Sequence, residues 1–369
     1  MLLSGCSSSP SDQGPADNTY QYELIAPRRT VTGRSLPVVI LAVDVNPRTT
    51  PTVSLVISSS YPNQAQAGVK VKRGCGSVTL RPDVEGNMQV SLINQAGGVL
   101  AESVVGVIVD TAVRELSGAL SGEDLSWDSS AVIRISGDVS IGAGDMLEIG
   151  AGTTVELGDR VNIDCRGNMM CSGTVDAPVL FTAVDPGRPW GGVWHPSGDH
   201  LYSYVFFTGG GGDSTKALGH SGSQPVVGGC NSRIELDHVF MLDNPGKAFY
   251  FDSNEFSLTN SLVSRCDTGG ELKFSLVTVD NCYFLDMPND DGLEVDDDND
   301  AIYVALPWRG GDDFSVIRNS VFISGKDDGI DHNGANLRIL NCIIEDFDNE
   351  GIAGSNENHL EVFNTLVLN

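Results

Sequence analysis

One seven-residue pattern, apolar-any-apolar-any-Asn-any-apolar, returns through the C-terminal third of this chain at nearly constant spacing. Copies stand at 256–262, 277–283, 315–321, 337–343 and 360–366, and an earlier one at 234–240 carries His238 in the Asn place. The marked positions are 22, 21, 38, 22 and 23 residues apart, so only one gap is out of step. A fixed period near 22 with strand-type alternation describes a solenoid whose coils stack on one another.

Alternation along a strand places the residues two and four before the Asn, and two after it, on one inward face together with the Asn. A buried amide needs partners, which the turn backbone and the Asn of the next coil supply. Asn260, Asn281, Asn319, Asn341 and Asn364 are therefore expected to form a structural ladder. Cys282 and Cys342 follow a ladder Asn where Ser261, Ser320 and Thr365 sit elsewhere, which reads as a column of small packed side chains.

Among 369 residues, 49 are acidic and 22 basic, for a net charge of −27. Phosphate binding needs a basic surface, so a nucleic-acid partner is excluded, whereas divalent cations and neutral or cationic ligands fit. No segment supplies the roughly 18 apolar residues of a membrane-spanning helix. Residues 20–110 contain short apolar strands at 38–43, 52–57, 69–71, 77–80, 88–92 and 104–108, separated by turn residues as in an immunoglobulin-like β-sandwich. Residues 111–124 read as a linker or short helix, and 125–369 as the solenoid. Apart from Cys6 there are seven cysteines, an odd number, of which Cys165 and Cys171 can bridge across a tight turn in an oxidising compartment. No CxxC pair or His cluster points to zinc.

Leu3-Ser4-Gly5-Cys6 resembles the lipobox of bacterial lipoproteins, with residues 7–19 as a flexible tether. That resemblance implies lipidation at Cys6 and a lipid anchor in the bacterial cell envelope, outer membrane included. The run from Ala131 through Gly142-Ala143-Gly144, Gly150-Ala151-Gly152 and Trp190-Gly191-Gly192-Val193-Trp194 resembles the opening coils of the pectate-lyase-like superfamily. The expected fold is all-β: a right-handed parallel β-helix preceded by a small β-sandwich. The chain ends on a ladder copy, and further coils are expected beyond residue 369.

Acidic residues concentrate after the ladder Asn, at 289–300, 325–333 and 347–353, with Gly292, Gly329 and Gly351 at matching places. The repeated Asp-Gly is also what a turn uses, Asp capping it and Gly supplying a positive φ, and His332 reads as an exposed turn residue. Stacked carboxylates call for a cation, a shared proton or solvent. Calcium prefers such oxygen donors and would draw on Asp290, Asp291, Glu294, Asp296, Asp298 and Asp331. The extra residues of the 38-residue gap fall around 297–313, placing Tyr303, Trp308 and Arg309 beside the acids as a sugar-binding loop would. The main expectation is an acidic, calcium-holding surface module that binds a polysaccharide or a surface protein. In order and spacing the three segments also resemble the motifs of polygalacturonase-type glycoside hydrolases. That likeness implies catalytic roles for Asp291, Asp327 and Asp328, with Glu350 where the family has His; Lys326 and Arg309 are the candidate bases of a lyase. Segments with DDGID also resemble the β-helix parts of proteins related to spore-coat-protein-H kinases.

Overall fold

The computed structural model describes residues 20–61, 66–109, 112–287, 299–356 and 359–368. From Val113 onward the chain winds as a parallel β-helix in which each strand pairs with its counterpart one coil later. One coil shows the plan: strands Glu255–Thr259, Leu262–Cys266 and Glu271–Lys273 form the ladder, shoulder and open faces. The next coil repeats them as Leu276–Asp280, Tyr283–Leu285 and Tyr303–Ala305. The strand Val113–Leu120 pairs with Val132–Ile141, so the expected linker is the first coil of the solenoid.

The repeated Asn sits where the ladder strand turns into the shoulder strand, with φ of 52°, 56°, 53°, 56° and 47° at Asn260, Asn281, Asn319, Asn341 and Asn364. His238 and Tyr204 hold the same conformation at the same corner one and two coils before Asn260. The left-handed region costs most L-residues about 1–2 kcal/mol, and Asn tolerates it best. Side-chain amides link the corners, with Nδ2 of Asn281 donating to Asn260 (2.8 Å), Asn341 to Asn319 (3.2 Å) and Asn364 to Asn341 (2.8 Å). Where the long gap interrupts the stack, Asn319 donates to Asp280 instead (2.7 Å). Tyr204 and His238 stack their rings at 4.2 Å.

The ladder exists, but four of its five Asn side chains are exposed and Asn260 is half-buried, which corrects the inward placement. A left-handed residue shifts the alternation by one. Ser261, Cys282, Ser320 and Cys342 therefore point inward, and Ser261 Oγ accepts from the Val239 amide (2.9 Å) while Ser320 Oγ accepts from Cys282 (3.1 Å). The apolar residues three past the Asn, Val263, Phe284, Phe322 and Ile344, join the core. Those two past it, Leu262, Tyr283, Val321 and Ile343, face outward on the shoulder.

An outward apolar stripe needs a cover. The N-terminal block supplies it. A three-stranded sheet and a five-stranded sheet enclose their own core as a β-sandwich, and Ile25, Val39 and Cys75 from it pack onto the stripe. Ion pairs border the contact, Arg34 with Glu156, Lys72 with Asp286 and Arg73 with Glu345.

Because the backbone conformation selects Asn, Asn341→Ala should lower the unfolding free energy by about 1–2 kcal/mol in urea titrations, and Asn341→Gly by clearly less. Equal losses would mean that the amide stack, not the left-handed backbone, carries the stability.

Candidate functional site

Each coil passes from the shoulder to the open face through a corner rich in Asp and Asn. Asp267, then Asn299 and Asp300, then Asp327 and Asp328, then Asn349 and Glu350 occupy successive corners. Backbone bonds hold the levels in step: Gly269 N–H donates to Asp300 O (3.0 Å), Ala301 to Asp328 (2.8 Å) and Gly329 to Glu350 (2.9 Å). Gly329 and Gly351 serve close packing and not a positive φ. A Cβ on Gly329 would lie 2.6 Å from the Gly351 carbonyl oxygen, and one on Gly351 would strike Val367.

Carboxylate oxygens of Asp300, Asp327 and Asp328 lie within 4.8 Å of one another, and all three residues are buried. Like charges so close in a poorly solvated corner repel by several kcal/mol unless a cation or protons intervene. The Glu350 amide donates to Asp328 Oδ1 (2.9 Å), and Asn299 Nδ2 donates to Asp267 Oδ1 (3.0 Å). Asp300 closes the acidic run in the sequence but was not among the expected ligands. Its signal was its place immediately before an open-face strand, the place Asp328 holds one coil later. Asp290, Asp291, Glu294, Asp296 and Asp298 lie outside the described residues, as does Cys6.

The other expected residues separate. Asp331 lies on the open face level with Tyr303, which in turn is level with Glu271, away from the carboxylate trio. Tyr303 is nearly buried; its hydroxyl accepts from Asn333 Nδ2 (2.8 Å) and its ring stacks on His220 (5.1 Å). Lys326 is half-buried in the acidic corner, and Glu350 is exposed beside it. Trp308 and Arg309 stack on each other (4.2 Å) but line a hollow of about 530 Å³ with Asp199, Arg233 and Glu255, at the opposite corner between the open and ladder faces. The long gap thus puts length into two corners, and the aromatic–arginine pair does not flank the acids. His332 is buried, pointing into the solenoid with Nε2 on the Ala335 carbonyl (2.7 Å), which corrects its reading as an exposed turn residue.

A second concavity opens on the same face several coils earlier. It encloses about 620 Å³ lined by Trp194, Asp138, Asn162, Asp164, Lys216 and Leu218. Gly228 lets the Trp194 ring lie flat, since a Cβ there would sit 2.8 Å from it. One wall is the strap at 209–224, and its far end is pinned by buried Lys247 and Glu271, which form an ion pair. Lys247 Nζ donates to Leu218 O (2.6 Å), and the Glu271 carboxylate accepts the amides of His220 (2.6 Å) and Ser221 (3.0 Å). Gly219, at φ +75°, leaves no room for a side chain against Glu271.

All seven described cysteines are free thiols, so Cys165 and Cys171 do not pair as expected; both are buried. Cys282 and Cys342 are packed thiols as expected, each with Sγ on the carbonyls of its own corner. No helix among the described residues is long and apolar enough to cross a membrane. Neither family models, curated proteins nor solved structures match the chain.

Removing one member of a buried ion pair strands the other, so Lys247→Met should cost about 3–5 kcal/mol and make the strap sensitive to protease. Lys247→Met with Glu271→Gln, which keeps an acceptor for the two amides, should recover much of that loss. A single variant as stable as the parent would show that the pair does not anchor the strap.

Proposed function

We propose that this protein is an envelope-anchored parallel β-helix of the pectate-lyase-like type, acting as a calcium-stabilised module that binds a glycan along its open face. The observation that carries the reading is the convergence of three buried carboxylates, Asp300, Asp327 and Asp328. Hard oxygen donors in that number match calcium, which also accepts backbone carbonyls and water. Asp290, Asp291, Glu294, Asp296 and Asp298 stand in the run just before Asp300 and extend the same donor chemistry along the chain. For the glycan, the open-face groove offers an aromatic floor in Trp194 with carboxylate, amide and ammonium groups around it, the mixture a neutral sugar uses. The Leu3-Ser4-Gly5-Cys6 lipobox and its polar tether support a lipid anchor.

Polysaccharide cleavage by Asp327 and Asp328 is the competing reading, favoured by their adjacency to Asp300. Inverting glycosidases hold their two carboxyl groups about 6.5–9.5 Å apart to admit a water, and oxygens gathered within 4.8 Å suit a shared cation better. A cation that binds only the folded chain adds about 2.7 kcal/mol at a hundredfold excess over its Kd. Calcium should therefore raise the melting temperature by several degrees, an effect that EGTA reverses and Asp328→Asn abolishes. Product from pectin, alginate or a related polymer, lost in Asp328→Asn, would instead establish the enzyme; no calcium shift and no product would defeat both readings.

A further inference from the structure

Among the buried polar groups of the solenoid, one cluster near the early coils joins a thiol to two imidazoles. There Cys165 ends the open-face strand Ile163–Cys165, and His195 ends the strand Val193–His195 stacked directly on it. His200 enters from the ladder strand of the same coil as His195, one level above Met169. All three side chains are buried, and Cys165 Sγ and a ring nitrogen from each imidazole lie within 4.8 Å of one another. Their neighbours in the core are Ile141, Leu147, Met169, Tyr202 and Ile234.

A carbonyl acceptor sets the tautomer of His200. Tyr202 Oη lies 2.7 Å from His195 Nε2 and 3.0 Å from Met169 Sδ. His200 Nε2–H donates to the Ser197 carbonyl (2.8 Å). His200 therefore carries its proton on Nε2 and a lone pair on Nδ1, and among the described residues neither ring's Nδ1 has a hydrogen-bond partner. A buried, unsatisfied polar atom costs about 1–3 kcal/mol, and here two face the same interior level as a thiol. Histidines that ligate metals are held in this way, one nitrogen on the ion and the other donating to an oxygen. The two ring centroids are 3.6 Å apart with the planes tilted by 31°.

We propose that Cys165, His195 and His200 form a buried site for a soft or borderline transition-metal ion, zinc or copper, bound by one thiolate and two imidazole Nδ1 atoms. Zinc takes sulfur at about 2.3 Å and nitrogen at about 2.0–2.1 Å, so ligand atoms that lie within 4.8 Å of one another draw in around the ion as it binds. The donor set excludes calcium, so the site is independent of the acidic corner. Burial holds both histidines below their usual range, His195 the more strongly with His200 alongside. Neutral rings are the form a metal needs. Burial also pushes the Cys165 thiol up to about 12, so the thiol proton leaves to solvent as the metal–sulfur bond forms. The three ligand side chains are buried, His200 at the edge of a hollow of about 250 Å³ that it lines with Met169 and Asp199, and a bound ion would lock adjacent coils together.

The test is to unfold the full chain with a chelator and refold it with Co²⁺, Zn²⁺ or Cu⁺, removing excess metal by gel filtration. One ion per chain by elemental analysis is expected, with a thiolate-to-cobalt charge-transfer band in the Co²⁺ form and a higher melting temperature with each bound metal. Cys165→Ser should lose the band and the stoichiometric metal, whereas Cys342→Ser, which removes a buried thiol elsewhere, should keep both. A parent protein that refolds without retaining metal or showing the band overturns the proposal, whatever the variants do. Retention unchanged in Cys165→Ser, or a Cys165–Cys171 disulfide found by mass spectrometry in the unreduced protein, overturns it equally.

Discussion

The left-handed residue at the ladder corner is the constraint on which the rest of this structure depends. Coils stack in parallel only if each turns at the same place, and from Tyr204 onward each turns at a residue with φ near +50°. Asn meets that demand at the least cost, and its amide then bonds the neighbouring corner. The same residue reverses which side chains face inward. Hydroxyls and thiols of Ser261, Cys282, Ser320 and Cys342 line the interior as a consequence, and an apolar stripe is turned out onto the shoulder.

That stripe explains why the β-sandwich lies along the solenoid. It also explains the charge distribution. Arg34, Lys72 and Arg73 are drawn to the contact to meet Glu156, Asp286 and Glu345. With so few basic residues in the chain, the remaining surface is left acidic, and the open face carries both the carboxylate corner and the Trp194 groove. A buried lysine on that face, Lys247, anchors the strap that walls the groove.

How much was legible depends on whether a signal was local. The solenoid, its period and the sandwich strands were readable because alternation and turn residues are short-range properties. The direction of Leu262 or Val321 was misread because counting by twos through Asn260 or Asn319 ignores the phase change at a left-handed residue. Trp308 and Arg309 were expected near Asp328 on sequence proximity, yet a strand and a corner lie between them. Cys165, His195 and His200 form no motif, being brought together only by coil register and a facing wall.

The sequence by itself determined the repeat, the parallel all-β architecture and the existence of an acidic corner, because each follows from the order of apolar, turn and charged residues along one coil. Only the tertiary structure decided which side chains meet. Asp300 joins Asp327 and Asp328, and Cys165 joins two histidines, through contacts between coils and across the interior. Stacking turns a distance of roughly one repeat into about 5 Å, and no local pattern records which residues that brings together.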